Sequence, residues 1–180
     1  SSGNLSITQN VLSTLDQKAR GGDGQLHLGN AQSMFDVARL LGDSLREVKT
    51  RDGPYLVQNN IDASANFIVG GQVRGEPPRL FNVYGEGNFI EATPDTCYFQ
   101  IGETKYGKPI IDRVLKRSTS LLEATKCTVV SFDSTMRSNI SVGLPIDLLV
   151  YETDSLRIKQ QKRIEETDAY FQMVHTQWGE

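Results

Sequence analysis

The spacing of the apolar residues changes between a helical and a strand pattern along this 180-residue chain. Helical spacing from Leu5 to Ala19 predicts one helix, which the Gly21-Gly22 pair ends. A second helix is predicted to start near Ser33 and to end at the Asp-Gly-Pro sequence of 52–54. Strand-like runs, the first rich in Phe, Ile, Val and small residues, are separated by turns rich in Gly and Pro and then predict an antiparallel meander of strands at 63–73, 79–84, 88–91 and 98–101. Strand sets beside helix pairs are typical of a sheet core with helices on its faces.

The second half of the chain again places helices before strands. Helices are predicted over 108–117, where Pro109 suits the first turn, and over about 120–133, where Ser120 and Glu123 form a capping-box pattern. Two strands and a last helix follow, at 144–152, 156–163 and 165–178.

These elements favour an α+β fold. Segments 63–73 and 144–151 are apolar on both faces, which is not typical of a sheet that faces solvent. A four-layer αββα arrangement, with helices outside two stacked sheets, would bury both segments. Because no linker, internal repeat or low-complexity stretch interrupts the pattern, we predict a single domain over residues 1–180.

The composition excludes several classes of function. A formal net charge of −3 predicts no affinity for nucleic acid, and no apolar run is long enough to span a membrane. No leader pattern is found, so we expect a cytoplasmic protein. Cys97 and Cys127 fit reduced buried thiols in such a protein at least as well as a disulfide. His27 and His175 stand apart from each other and from any Cys-x-x-Cys motif, so we predict no metal site and no cofactor.

Two features resemble catalytic or binding motifs but are better explained otherwise. Residues 102–108 nearly match a phosphate-binding loop, yet Pro109 stands where a Mg²⁺-binding Ser or Thr is required. We expect a helix-entry loop there and keep small-molecule binding as a weaker alternative. Ser1 combines a hydroxyl with an α-amine, as an N-terminal nucleophile does, but its segment runs straight into a helix and would not hold an attack geometry.

A third feature is a run of polar residues between Asp133 and Ser141, just before the apolar segment 144–151. Buried polar groups need hydrogen-bond partners. The run therefore either braces a loop through local hydrogen bonds or lines a site, and the residues alone leave both interpretations open.

Two long stretches carry a resemblance to a known family. The first comprises GQVRGEPPRLF at 71–81, GNFIEATPDT at 87–96 and FQIGETKYGKP at 99–109, and the second is SFDSTMRSNISVGLPID at 131–147. Together they resemble the bacterial proteasome-related peptidases called Anbu, the ancestral beta subunit. The resemblance covers essentially the whole chain.

The resemblance implies the N-terminal nucleophile hydrolase fold, a four-layer αββα sandwich, here without its leading strands. In proteasome-type enzymes those strands supply a threonine nucleophile and the Asp and Lys that tune its amine, and no residue of this chain matches these three. The nucleophile is therefore expected upstream of this sequence. By the same resemblance Gly3 provides an oxyanion-hole N–H, and Ser1 and Ser2 border the pocket for the substrate side chain.

In proteasomes a loop before the penultimate strand carries an Asp and a Ser near the amine of the nucleophile. By resemblance Ser138 and Ser141 take these places as catalytic-site residues, with Ser instead of Asp, and a register shift of one would bring in Asn139. Because a hydroxyl does not stabilise an ammonium as a carboxylate does, this departure argues against a full amine-tuning role for Ser138.

Two functions follow from the resemblance. One is a subunit of a proteasome-like threonine peptidase that hydrolyses peptide or small amide substrates through an acyl-enzyme, with this chain alone inactive. The other is a non-catalytic scaffold subunit that self-assembles. Both imply a homo-oligomeric ring or spiral, with no nucleic-acid or membrane partner.

Overall fold

A computed structural model describes residues 1–21 and 24–178. The chain divides into two compact units, Ser1–Gly102 and Glu103–Glu180. Within the described residues, the first unit holds two helices and a four-stranded sheet, and the second holds three helices and a two-stranded sheet. This mixture confirms the predicted α+β class.

The first unit builds its core between two helices and one face of the sheet. Its elements are β1 (Ser2–Gly3), α1 (Leu5–Gly21), α2 (Met34–Gln58), β2 (Ala65–Gly71), β3 (Arg79–Val83) and β4 (Phe89–Glu91). The strands pair antiparallel in the order β1-β2-β3-β4. Helical spacing brings Ile7, Val11 and Leu15 of α1 into the core, and period-2 spacing brings Ala65 and Phe67 of β2 against them. The pattern-based predictions of α1, β2, β3 and β4 are confirmed.

Helix α2 continues past its predicted end at 52–54 and reaches Gln58. Pro54 lies inside the helix and has no N–H to donate to the carbonyl one turn earlier. The last turn still forms because Leu56 packs against the core, and because the N–H of Asn59 caps the carbonyls of Leu56 and Val57. The predicted end was wrong since burial of an apolar side chain offsets the lost hydrogen bond.

The edges of the sheet also differ from prediction. Residues 98–101 do not form a strand, because a strand needs a neighbouring backbone ladder and the described sheet ends at β4. In contrast, Ser2 and Gly3 form a strand that no pattern predicted, by pairing with Asn66 and Ala65. A strand of two residues has no periodicity to detect, so its partner strand alone defines it.

The second unit packs a β-hairpin against helices. Its elements are α3 (Lys108–Val114), α4 (Leu121–Ser138), β5 (Ile146–Tyr151), β6 (Ile158–Ile164) and α5 (Ala169–Gln177). The hairpin of β5 and β6 shares a core with α4 and α5, built from Val129, Ile146, Ile164, Phe171 and Val174. The predicted capping box is confirmed, because the Ser120 hydroxyl accepts from the Glu123 N–H while the Glu123 carboxylate accepts from the Ser120 N–H.

Helix α4 runs five residues past its predicted end at 133, so most of the polar run is helix and not loop. Alternate residues of this stretch, Ser131, Asp133 and Thr135, are buried. Ser131 and Thr135 lie one turn apart and face Gly107, where a Cβ would lie 2.3 Å from the Ser131 hydroxyl oxygen. The Thr135 hydroxyl donates to the Ser131 carbonyl. Small hydroxyl side chains therefore let the start of α3 approach α4 closely.

Three smaller predictions were also wrong. Helix α3 ends at Val114, before the predicted 117, because Leu115 is extended. Helix α5 begins at Ala169, after the predicted 165, because the Asp168 carboxylate caps it by accepting from the Phe171 N–H. On β5, Leu149 is 58% exposed, so within the described residues this segment is not buried on both faces.

Candidate functional site

Gly3 lies where strand β1 passes into helix α1, and its surroundings admit only glycine. Its φ of +99° is rare for residues with a side chain, and a Cβ there would lie 2.3 Å from the Ser64 carbonyl oxygen. Gly3 is paired with Ala65, while the N–H of Asn4 donates to Ser64. In an antiparallel ladder only every second residue of a strand exchanges hydrogen bonds with its neighbour. Because Asn4 makes such a bond to β2, the N–H of Gly3 points away from β2, toward the outer edge of the sheet.

Asn4 holds this stretch of backbone in place. Its Oδ1 accepts from the N–H groups of Ser6 and Ile7 at 2.9 and 3.2 Å, which caps α1, and its Nδ2 donates to the Asp62 carbonyl at 2.8 Å. The Asp62 carboxylate accepts from the N–H and hydroxyl of Ser64, and the Ser64 hydroxyl lowers the pKa of this carboxyl. Our sequence predictions missed Asn4, although Asn just before a helical pattern is a capping signal.

The two serines that precede Gly3 have different environments. Ser1 is exposed, whereas Ser2 is half-buried in β1. The backbone of Gly102, with φ of +85°, passes beside Ser2, because a Cβ at Gly102 would lie 3.7 Å from the Ser2 Cβ. The structure thus brings Ser2 and Gly3 together with Gly102 in the first unit.

The segment between α4 and β5 forms a turn braced by Asn139. The Asn139 N–H caps α4 by donating to the Thr135 carbonyl. Its Oδ1 accepts from the Ser141 N–H at 2.8 Å, and its Nδ2 donates to Oε2 of Glu103 at 2.8 Å. Ser138 ends the helix and Ser141 lies in the turn, both with exposed side chains. Of the two interpretations of the polar run, the structure supports bracing for Asn139.

Asp133, the first residue of the polar run, is wholly buried and cross-links α4 to α5. Its carboxylate accepts from Nε of Arg137 at 2.9 Å and lies 2.5 Å from Nδ1 of His175. Arg137 also donates to the backbone carbonyl of His175, whose ring stacks on Phe171. A buried carboxylate that satisfies two donors at once is a structural clamp, and no sequence spacing predicted its pairing with His175.

A cleft of about 230 Å³ lies beside this clamp in the second unit. Met136, Leu144 and Phe171 supply its apolar lining, and Glu166 and Gln172 its polar lining. Among the described residues no Ser, Thr, Cys or Lys lines the cleft. Its described lining therefore lacks the hydroxyl, thiol and amine nucleophiles of covalent catalysis.

The segment that resembles a phosphate-binding loop takes part in packing. Gly107 lies against α4, as described above, and Lys108 forms an ion pair with Asp112 one turn along α3, at 2.7 Å. Glu103 accepts from the N–H of Lys105 at 2.7 Å. These contacts support the helix-entry loop that the sequence predicts.

Two further features are absent within residues 1–21 and 24–178. No three His, Cys, Asp or Glu side chains are grouped so that they could hold a metal ion. None of the helices combines the length and the apolar character that crossing a membrane requires.

Comparison with known proteins identifies relatives among solved structures. No family model matches the chain, and no curated protein matches it. Anbu (ancestral beta-subunit) from Yersinia bercovieri is 50% identical with a TM-score of 0.91, over 99% of this chain and 73% of that chain. Anbu from Hyphomicrobium sp. strain MC1 is 47% identical with a TM-score of 0.90, over the same shares. The helical assembly of the Anbu complex from Pseudomonas aeruginosa is 48% identical with a TM-score of 0.91, again over 99% and 73%.

The fold and these relatives define a proteasome-related subunit. At this identity and coverage the family is established. The chain belongs to the Anbu (ancestral beta-subunit) family, which confirms the resemblance seen in the sequence.

Proposed function

We propose that this chain is the larger part of a proteasome-like threonine peptidase subunit that hydrolyses peptide or small amide substrates. The nucleophile, a threonine, and the Asp and Lys that tune its amine lie outside these 180 residues. The complete subunit has the N-terminal nucleophile hydrolase fold, a four-layer αββα sandwich, and residues 1–180 form a single proteasome-type domain within it. Membership in the Anbu family supports this proposal.

The observation that carries the proposal is the geometry of Gly3. Attack on an amide carbonyl generates an oxyanion, which is stabilised by preorganised N–H donors. Gly3 offers such a donor, because its N–H points to the outer edge of the sheet while Asn4 fixes the adjoining backbone. Ser2, beside Gly102, and the exposed Ser1 border the substrate pocket in this proposal.

Ser138 and Ser141 serve the same reaction in this proposal. Their hydroxyls are exposed at the end of α4 and on the turn that Asn139 braces, so they are available to hydrogen-bond the substrate or the acyl group of the acyl-enzyme. Replacing either with alanine should impair turnover without abolishing it, because hydroxyls support such a site and the nucleophile performs the bond-forming step.

The test is covalent labelling of the full-length protein by a threonine-directed electrophile, read by intact mass and peptide mapping. One label per subunit on a threonine outside this chain, together with hydrolysis of a peptide amide, is the expected result. Absence of both labelling and hydrolysis would refute the enzymatic proposal.

A second candidate is a non-catalytic scaffold subunit that forms a homo-oligomeric ring or spiral. The relative from Pseudomonas aeruginosa is described as a helical assembly, which favours self-association of this chain. Exposed apolar helix residues such as Leu5 and Leu122 offer contact area for it. Large particles in sedimentation without any labelling would favour the scaffold, whereas labelled large particles would favour the peptidase. In either case we propose a cytoplasmic protein without nucleic-acid, membrane or cofactor partners.

A further inference from the structure

The loop before α3 and the turn after α4 are joined by one chain of hydrogen bonds in the second unit. Oε1 of Glu103 accepts from the Lys105 N–H at 2.7 Å, and its Oε2 accepts from Nδ2 of Asn139 at 2.8 Å. Oδ1 of Asn139 then accepts from the Ser141 N–H at 2.8 Å. The orientation of the Asn139 amide is therefore fixed from both of its ends.

This arrangement brings a negative charge to the turn after α4. The sequence has no acidic residue between Asp133 and Asp147, and the Asp133 carboxylate is buried in the clamp between α4 and α5. The half-buried Glu103 reaches the turn from a distant segment. The N–H of Lys105, and next the Asn139 amide, lower the pKa of Glu103, so this carboxyl is ionised at neutral pH.

We propose that Glu103 and Asn139 are positioning residues for the amide hydrolysis assigned above. They hold the turn that follows Ser138 and carries Ser141, and they place a carboxylate beside it. This inference rests on the proposed hydrolase function. Glu103 acts on the turn through the Asn139 side chain. The pair can therefore be tested by exchanging the carboxylate and the amide between positions 103 and 139.

Each single exchange breaks the chain of bonds in a different way. In Glu103→Gln one of the two accepting oxygens becomes an NH2 group. In either orientation of the new amide this NH2 faces another donor, the Asn139 NH2 or the Lys105 N–H, so one hydrogen bond is lost. Asn139→Asp sets two carboxylates against each other, which repel while both are ionised. The double variant Glu103→Gln/Asn139→Asp restores the pattern, because the introduced amide donates to the introduced carboxylate and the bonds to Lys105 and Ser141 keep their acceptors.

The experiment measures kcat and KM on a peptide amide with the full-length protein, together with hydrogen exchange of the segment that contains Ser141. Each single variant should lower kcat roughly tenfold with little change in KM and speed exchange of that segment. The double variant should recover kcat to within about threefold of the wild type. For Asn139→Asp alone, kcat should rise relative to the wild type as the pH falls, because protonation of one carboxyl removes the repulsion.

The matched control is Glu152→Gln, which neutralises a partly exposed carboxylate paired with Lys159 in the same unit and should leave kcat and exchange unchanged. The positioning role is overturned if the wild type is active but Glu103→Gln behaves like the control, or if the double variant is no better than the single variants. Either result leaves the hydrolase function intact. A wild type without turnover or labelling overturns the hydrolase function, and the positioning role with it.

Discussion

Gly42→Ala in helix α2 should destabilise the protein, although alanine is the stronger helix former. A Cβ at Gly42 would lie 2.1 Å from the Gly87 carbonyl oxygen and 3.1 Å from its carbonyl carbon, whereas real Cβ contacts essentially never fall below 3.0 Å. The neighbour is backbone, so no side-chain rotation relieves the clash.

The turn that carries Gly87 is anchored and cannot simply move away. The Gly87 N–H donates to the Tyr84 carbonyl at 2.8 Å, Nζ of Lys49 donates to the Gly85 carbonyl at 2.7 Å, and the Gly85 N–H donates to Asn66. Helix propensity favours alanine by about 1 kcal/mol. Overpacking typically costs about 1–3 kcal/mol, and a contact of 2.1 Å with fixed backbone places this site at or above the top of that range. We expect a net loss of about 2–3 kcal/mol, or a fall in melting temperature of about 5–10 °C for a chain of this size.

The assay is urea denaturation followed by circular dichroism, with Thr50→Ala as the control. Thr50 lies in the same helix with an exposed side chain, so alanine there should be neutral or stabilise by a few tenths of a kcal/mol. If Gly42→Ala proved as stable as Thr50→Ala, with an unchanged denaturant slope, the close approach of α2 to the β3–β4 turn would be refuted.

Three further predictions concern buried charge, capping and pH. Asp133→Asn should lower the free energy of unfolding by about 2–4 kcal/mol, since it weakens a wholly buried hydrogen-bonded charge, and an unchanged urea midpoint would contradict the clamp. Ser120→Ala should cost about 1 kcal/mol through loss of the capping box with Glu123, whereas a change below a few tenths would argue against the cap. The Arg79 guanidinium lowers the pKa of Glu91, so this pair stabilises the fold above the unfolded-state pKa of Glu91 and loses that effect as the pH falls through the folded-state value. Arg79→Gln should therefore make the fold less stable near neutral pH and reduce its loss of stability on acidification, and a parallel shift of the two pH curves would contradict this assignment.

The sequence predicted those elements whose own residues contain a repeated signal. Helix α1 has apolar residues over four turns, and β2 and β3 are short runs with Phe and Val that are bounded by turn residues. The capping box was recognisable because its two partners, Ser120 and Glu123, lie within four residues.

The boundaries failed where packing outweighed local signals. The Asp-Gly-Pro sequence stops most helices, yet α2 passes through it because Leu56 reaches the core. The polar run looked like a loop, yet α4 continues to Ser138 because its hydroxyl side chains allow close contact with Gly107. Propensity is a weak prior that tertiary contacts override.

The candidate site was only partly accessible from the sequence. Gly3 was singled out by resemblance, and the structure adds its positive φ and the direction of its N–H. Asn139 was considered only as an alternative register, and its bond to Glu103, 36 positions away in the chain, had no local signature.

The sequence by itself determined the α+β class, most of the element order and membership in the Anbu family, because these depend on periodicities and on motifs that are contiguous along the chain. Only the tertiary structure decided that Asp133 pairs with His175, 42 positions away, that Glu103 reaches the turn of Ser141, and that Gly42 must lack a side chain. The physical reason is that hydrogen bonds and steric contacts act over a few ångströms in space, so sequence spacing does not reveal partners that folding brings together.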